Sequence, residues 1–350
     1  MDKMERLSQT IKDFALGGGA IAVGISTTET LKGGPPSTDL SYVLPAAKSA
    51  IVFALPFDQD VLESFLKKED MGGLNVNNRR INTMASGIAM ELSSYLNMKG
   101  LVSVPVTANG VYRKDVPGGA YSEVPPLSHR YLAVRSGIGH FGFSGNVITP
   151  EYGAAVILGS VVTQAELIPT EPLPVEDNYC DDCNLCLSSC ASGLMSKTEK
   201  VTVTLGGMKF SYSKRLAYSR CDYVCGGFAG LHSSGKWSTW SPARFPIPEK
   251  DEEFLPAVLN AADSYRKRTK EDFGANLYHP LTPGNKLEFT CGHCQFLCHP
   301  NKKVRQERYK MITNSGVVIQ EANGRSRAVK PEEAIAHLEA MDDETRALYE

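Results

Sequence analysis

The residues best equipped for chemistry in this chain are its cysteines. There are nine, and all lie between Cys180 and Cys298. Cys180, Cys183, Cys186 and Cys190 form a C-x2-C-x2-C-x3-C run, and Cys291, Cys294 and Cys298 follow as C-x2-C-x3-C. Cys221 and Cys225 lie between the two runs. A loop with three cysteines at two-residue gaps can grip three corners of an iron–sulfur cube while the fourth reaches a second cube. Two [4Fe–4S] clusters need eight thiolates, so nine cysteines leave one over. Exchanging the last cysteine of each run assigns Cys180, Cys183, Cys186 and Cys298 to cluster 1. Cluster 2 then takes Cys190, Cys291, Cys294 and one of Cys221 or Cys225. Zinc also uses C-x2-C pairs, but three cysteines at such gaps before a fourth suit one tetrahedral ion poorly. Disulfide frameworks are seldom confined to one part of so long a chain.

Electrons carried by such a pair need an end point, and the cysteine-free first half has to supply it. That half reads as alternating strands and helices. Apolar runs at 20–26 and 51–55 predict buried strands. Ile81, Met84, Ile88, Leu92 and Leu96 recur near one helical face, predicting a helix over 79–99 capped by Gly100. A strand is expected at 102–107, with Pro105 pointing to a sheet edge. A helix is expected over 126–136 with Pro126 in its first turn. Arg130 and Arg135 on it read as solvent-facing. A glycine-rich turn follows from Gly137 to Asn146, then a strand over 154–163 and a Pro-rich linker at 169–174. The alternation predicts an α/β domain over 1–168, a two-cluster domain over 175–305 interrupted by an insertion near 197–212, and a helical tail over 306–350. The basic run 302–310 reads as a solvated helix face, and a helix is expected from Pro331.

Composition narrows the partners. With 42% apolar and 22% charged residues the chain has a globular balance, and its net charge of -2 offers nucleic acid or an anionic membrane no general attraction. A tRNA partner is therefore possible but not supported by charge. No apolar run approaches a membrane span, and no secretory signal is evident, so the cytoplasm is the expected location. The spacing Gly137–Gly142 follows a helix rather than a strand, which argues against a Rossmann nucleotide site.

The stretch YSEVPPLSHRYLAVRSGIGHFGFSGNVITPEYGAAVILGSVVT, from Tyr121 to Thr163, precedes the linker and the cysteine run. This order resembles the cobalamin-dependent iron–sulfur reductases, namely epoxyqueuosine reductases and reductive dehalogenases. VLPAAKSAIVFAL at 43–55 is similar to the first strand region of the epoxyqueuosine reductases, and ITPEYG at 148–153 to the dehalogenase form. The resemblance covers most of residues 40–300. It implies a corrinoid-binding, nitroreductase-like α/β (α+β) domain followed by a ferredoxin-like domain with two clusters. LAYSRCDYVC at 216–225 resembles the family's isolated cluster cysteine, which favours Cys221 as the eighth ligand and leaves Cys225 spare or alternative. Ala191 and His299 depart from the ferredoxin pattern without removing a thiolate. The family's cofactor is a base-off cobalamin, and no D-x-H-x-x-G motif surrounds any histidine here.

The resemblance further implies where that cofactor and its acid would lie. Gly137, Gly139, His140, Gly142 and Asn146 correspond to the glycine turn before the corrinoid pocket. Epoxyqueuosine reductases carry a catalytic aspartate three residues before the proline matched to Pro126, and that position here is Glu123. Dehalogenases use a tyrosine as acid, so Tyr121 is the alternative, with Tyr112 nearby. The implied reaction passes electrons from an external ferredoxin- or flavodoxin-type donor through two clusters to cobalamin. The cofactor then reduces a small electrophile, an epoxide, an organohalide or a modified nucleoside. Two other readings are an iron–sulfur electron-transfer protein with a different second cofactor, such as a flavin, and a corrinoid-handling protein without substrate reduction.

Overall fold

The computed structural model describes residues 2–106, 111–271 and 288–350. In chain order the described elements are α1 (Lys3–Gly17), β1 (Ala22–Thr27), β2 (Ser49–Pro56), α2 (Gln59–Leu66), α3 (Met71–Met98), β3 (Ser103–Val106) and α4 (His129–Arg135). Then come β4 (His140–Phe141), β5 (Val147–Ile148), β6 (Val156–Thr163), α5 (Leu185–Ser188), β7 (Met195–Leu205), β8 (Met208–Arg215) and α6 (Ser219–Cys225). The chain closes with α7 (Asp251–Lys267), α8 (His293–Phe296), α9 (Lys302–Asn314), β9 (Val317–Gln320), β10 (Ser326–Val329), α10 (Pro331–Glu339) and α11 (Asp343–Arg346).

Two compact units form. The first holds the residues up to Phe57, Arg80–Cys183 and Glu199–Ser213, and the second holds Asp58–Arg79, Asn184–Thr198 and Lys214–Glu350. The expected boundaries at 168, 175 and 306 are thus crossed in three places. Residues 58–79 join the cysteine-rich unit, 199–213 join the first unit, and the tail is part of the second unit rather than a domain of its own.

The first unit is built on a four-stranded sheet of order β1-β2-β6-β3, antiparallel throughout. Helices interleave with these strands in sequence, yet every pairing is antiparallel, an α+β arrangement within the mixed class expected. β2 is buried from Ser49 to Leu55. Its Ala50, Val52 and Ala54 join the core cluster with Leu132, Ala133 and Val134 of α4, while Ile51, Phe53 and Leu55 alternate to the opposite face. Burial on both faces explains why β2 reads as a continuous apolar run. Among the described residues β3 pairs only with β6, so Pro105 sits on the edge strand as expected. α4 begins at His129, not near Pro126, because Ser128 caps it with its hydroxyl toward the Tyr131 N–H.

The insertion is a hairpin, β7–β8. Val203, Leu205 and Tyr212 bury into the same core as Leu31 and Tyr131, and the Tyr131 and Tyr212 hydroxyls lie 2.7 Å apart.

In the second unit α6 and α7 share a core of Tyr223, Phe254, Val258, Ala261 and Tyr265 with Phe228. β9 and β10 pair antiparallel over Val317, Ile319 and Val329. α9 carries the basic run, but two of its arginines are not solvated. Arg305 and Arg308 are 3% and 2% exposed. Arg305 donates to the His299 carbonyl at 3.0 Å, and Arg308 to the Phe296 carbonyl at 3.0 Å and to Gln59 Oε1 at 2.6 Å. The reading of this run as a plain solvated face is corrected at those two positions. Their guanidinium groups satisfy backbone carbonyls freed where α8 ends.

Candidate functional site

All nine cysteines are free thiols. In the Cys180–Cys186 loop, Asp182 and Asn184 adopt left-handed backbone conformations, with φ of 50° and 56°. Asp and Asn tolerate this region better than other side chains. Alternating right- and left-handed residues is how a short loop turns several N–H groups toward one anion, as at many iron–sulfur sites. Donors do reach the thiols. The Phe143 N–H points at Cys180 Sγ (3.2 Å), and the Leu194 N–H at Cys190 Sγ (3.4 Å).

A second set of thiols converges in the second unit. The Cys221 thiol is held well above its ordinary pKa, first by a hydrogen bond to Cys225, then by burial and the nearby Cys225, Asp222 and Cys190. Burial also pushes the Cys291 thiol up, with Cys221 and Cys294 adding to the effect. Cys190, Cys225 and Cys291 are therefore electrostatic neighbours of Cys221, and Cys294 is one of Cys291. Several thiols forced together in a dry place resist ionising alone, and a cationic metal core reverses that preference. Among the described residues, no three His, Cys, Asp or Glu side chains gather tightly enough for a single metal ion. A cubane spreads its four thiolates over a larger tetrahedron than a lone zinc does. The chemistry of the donor set thus fits iron–sulfur clusters.

Sequence reasoning missed a cation beside this set. Lys68 is 7% exposed, has a φ of 59°, and donates to the Ser315 hydroxyl. Burial pulls its ammonium down to about 7, opposed by Cys291. Nothing in the local pattern KKED separates this lysine from a surface one.

The glycine turn is placed by α4 and the short β4–β5 ribbon. Gly137 has a φ of 77°, and a Cβ there would lie 2.4 Å from the Glu171 carbonyl oxygen. At Gly139 it would lie 2.3 Å from the Ile148 carbonyl, and at Gly142 2.8 Å from the Ile148 side chain. The room these glycines leave is taken up by the chain's own atoms. His140 is 9% exposed, and its Nε2 lies 2.8 Å from the Pro174 carbonyl, which makes Nε2 the protonated nitrogen. Nδ1 is then a buried lone pair with no partner among the described residues. Asn146 is half-buried, with its N–H 3.3 Å from the Ser144 hydroxyl. Arg130 is half-buried and donates to the Gly145 carbonyl at 2.7 Å, while Arg135 is 6% exposed, so neither is the solvent-facing residue expected.

Glu123 ends a single 3-10 turn (Gly119–Ser122) and has a φ of 53°. A left-handed glutamate is an uncommon and costly conformation, of the kind that concentrates at functional sites. Glu123 is half-buried, whereas Tyr121 is 77% exposed. Tyr112 is half-buried in the same segment. Arg113 anchors the segment, and no motif advertised it. It is 3% exposed and grips Asp115 with two hydrogen bonds, of 2.9 and 2.6 Å. It also donates to the Pro36 carbonyl at 2.9 Å, lies 3.7 Å from the Tyr42 ring centroid, and its own N–H meets the Val124 carbonyl at 2.8 Å. The residue next to Glu123 is therefore tied to a buried arginine.

No protein-family model matches the chain. The epoxyqueuosine reductase of Gloeobacter violaceus is 29% identical over 181 residues, covering 51% of this chain and 50% of its own. That of Bacillus subtilis is 36% identical over 176 residues, covering 46% of this chain and 42% of its own. The chain spans about half the length of the curated relatives it matches. The catabolic reductive dehalogenase NpRdhA superposes on all of this chain and 38% of its own, with a TM-score of 0.52 and 13% identity, a likeness of fold. Among the described residues no helix is long and apolar enough to cross a membrane. Over about half its length the chain is similar in sequence to epoxyqueuosine reductases, and its mixed α/β fold resembles that of a reductive dehalogenase.

Proposed function

We propose that the chain is an oxidoreductase dependent on two [4Fe–4S] clusters and a base-off corrinoid, and that it reduces a small electrophile of the epoxide or organohalide type. The observation that carries this reading is the chain of neighbouring thiols in one unit, with Cys190, Cys225 and Cys291 near Cys221 and Cys294 near Cys291. Cys190, Cys221, Cys291 and Cys294 hold cluster 2, with Cys225 in reserve. Cys180, Cys183, Cys186 and Cys298 hold cluster 1, and the N–H of Phe143 stabilises the Cys180 thiolate. Hydrogen bonds to cluster sulfurs raise the reduction potential by favouring the more anionic state.

When bound, a corrinoid supplies a strongly reducing metal centre that the side chains alone lack. His140, whose Nδ1 is buried with no partner among the described residues, and Asn146 are the residues that would meet the amides at its rim. Glu123 holds the proton for the leaving atom of the substrate, and its left-handed backbone, tied through Val124 to Arg113, fixes where that proton is offered. Two electrons come from a low-potential donor of ferredoxin or flavodoxin type. The substrate is a small molecule or a modified nucleoside, and the cytoplasm is the compartment that keeps these thiols reduced.

A second reading has one observation in its favour. The spaces at Gly137, Gly139 and Gly142 are filled from within, so the turn does not itself require a corrinoid. The first unit would then serve a different cofactor. Electron paramagnetic resonance of the anaerobically reconstituted chain with cob(II)alamin separates the two. A base-off cobalt signal, lacking axial nitrogen coupling, supports the corrinoid site. An unchanged free-cobalamin signal beside intact cluster signals removes it. Turnover of an epoxide or organohalide then distinguishes a reductase from a corrinoid-handling protein.

A further inference from the structure

The first unit contains an open cavity of about 380 Å³ lined by Glu29, Thr30, Lys32, Arg135, Gly206 and Gly207. None of these residues has a part in the chemistry above. The volume lies within the range of small-molecule sites, about 300–1,000 Å³.

Arg135, on the last turn of α4, is the best-buried charge on the wall. Its Nε donates to the Thr30 carbonyl at 3.2 Å, and its Nη1 is buried with no partner among the described residues. A guanidinium stays charged at every accessible pH, and a buried donor left unpaired is costly. The group that would relieve it is an oxyanion, which matches the planar fork. Lys32 adds a second positive charge. Its ammonium lies 3.6 Å from Glu29, with both side chains at least 75% exposed. An exposed pair of this kind is weak and easily exchanged for another anion.

The rest of the wall is backbone, supplied by the hairpin that interrupts the cysteine sequence. Its two-residue turn, Gly206–Gly207, has φ values of 56° and 85°, as a type I′ turn requires. The Gly206 N–H donates to the Lys32 carbonyl at 3.0 Å, and a Cβ there would lie 2.7 Å from the Thr30 carbonyl. The tip is thus locked onto the loop after β1. A Cβ at Gly207 would meet nothing within 4 Å, so this residue faces open space. The Thr27 N–H donates to the Thr30 hydroxyl at 2.8 Å and stiffens the same loop.

We propose that this cavity binds the oxyanion of a small molecule, a phosphate monoester or a carboxylate. Arg135 and Lys32 hold the anion, and Glu29 is the internal counter-charge that it displaces from Lys32.

The test is titration of the full chain with inorganic phosphate, followed by calorimetry at fixed ionic strength, with acetate as a parallel arm. Saturable binding of either anion is expected. Lys32→Glu should weaken it at least tenfold, and Glu29→Gln should tighten it about threefold. Arg135→Lys keeps the charge but loses the fork, and should weaken binding more than tenfold. If that variant fails to fold, the opposite shifts at the exposed Lys32 and Glu29 decide the matter. Saturation by phosphate alone names a phosphate ligand, and saturation by acetate alone a carboxylate. No saturable binding of either anion, or equal affinity in the wild-type chain and Lys32→Glu, overturns the proposal.

Discussion

The cysteine loops and the glycine turn both bring groups into close approach, but for opposite ends. At the thiols, side chains that repel one another once ionised are pressed together, and what eases the crowding is a few N–H and hydroxyl contacts and the charges of Lys68 and Arg215. At the glycine turn the close approach is already consumed, because carbonyls of Glu171 and Ile148 occupy the room that a Cβ would take. The first arrangement is costly until something binds. The second is complete by itself. A metal-binding site is more readily diagnosed from the first, since unrelieved cost points to a missing partner whereas satisfied packing does not.

The comparison breaks most sharply at the thiols. Cys291→Ala should remove one cluster entirely, lowering iron from about eight to about four atoms per chain after anaerobic reconstitution. Cys221→Ala should do the same, and Cys225→Ala should leave iron unchanged. If Cys225→Ala loses iron and Cys221→Ala does not, the two exchange roles. If all three keep full iron, the two-cluster assignment fails. The next effect is catalytic. Glu123→Gln should lower turnover at least a hundredfold while cluster spectra stay intact, and turnover near wild type would remove Glu123 from the role.

The glycine turn should respond in stability rather than in metal content. Gly139→Ala places a Cβ against the Ile148 carbonyl and should cost about 1–3 kcal/mol. Denaturant unfolding measures this, with iron stoichiometry unchanged. Loss of iron with unchanged stability would mean that the turn is not the self-contained element its packing indicates.

What the sequence reveals follows the same division. Cysteine spacing is legible because three thiols at two-residue gaps have few uses. The edge position of β3 is legible because Pro105 lacks a donor. Arg305 and Arg308 are not, because a basic run looks the same whether its heads face water or freed carbonyls. Arg113 is equally silent, since its partners Pro36 and Val124 are distant or unremarkable in sequence. The hairpin at 199–213 is detected as an interruption, but its membership in the first unit depends on Val203, Leu205 and Tyr212 finding a core that local pattern cannot name.

The smallest effect concerns a carboxyl in the second unit that no cluster explains. Burial raises Glu288 to about 7, partly offset by Lys270 and Arg268. In the unfolded chain its pKa returns to the ordinary value near 4.5. The folded state therefore binds the extra proton between these values, and the associated stability is present below about pH 4.5 and is lost as pH rises through 7. Burial lowers Lys270 to about 8 from 10.5. Its effect has the opposite slope, with stability rising between about pH 8 and 10.5, so the two windows do not overlap. Glu288→Gln should remove a decline on the order of 2 kcal/mol between pH 5 and 7. Denaturant midpoints measured across that range test it. An unchanged slope in the variant would assign the decline to other groups.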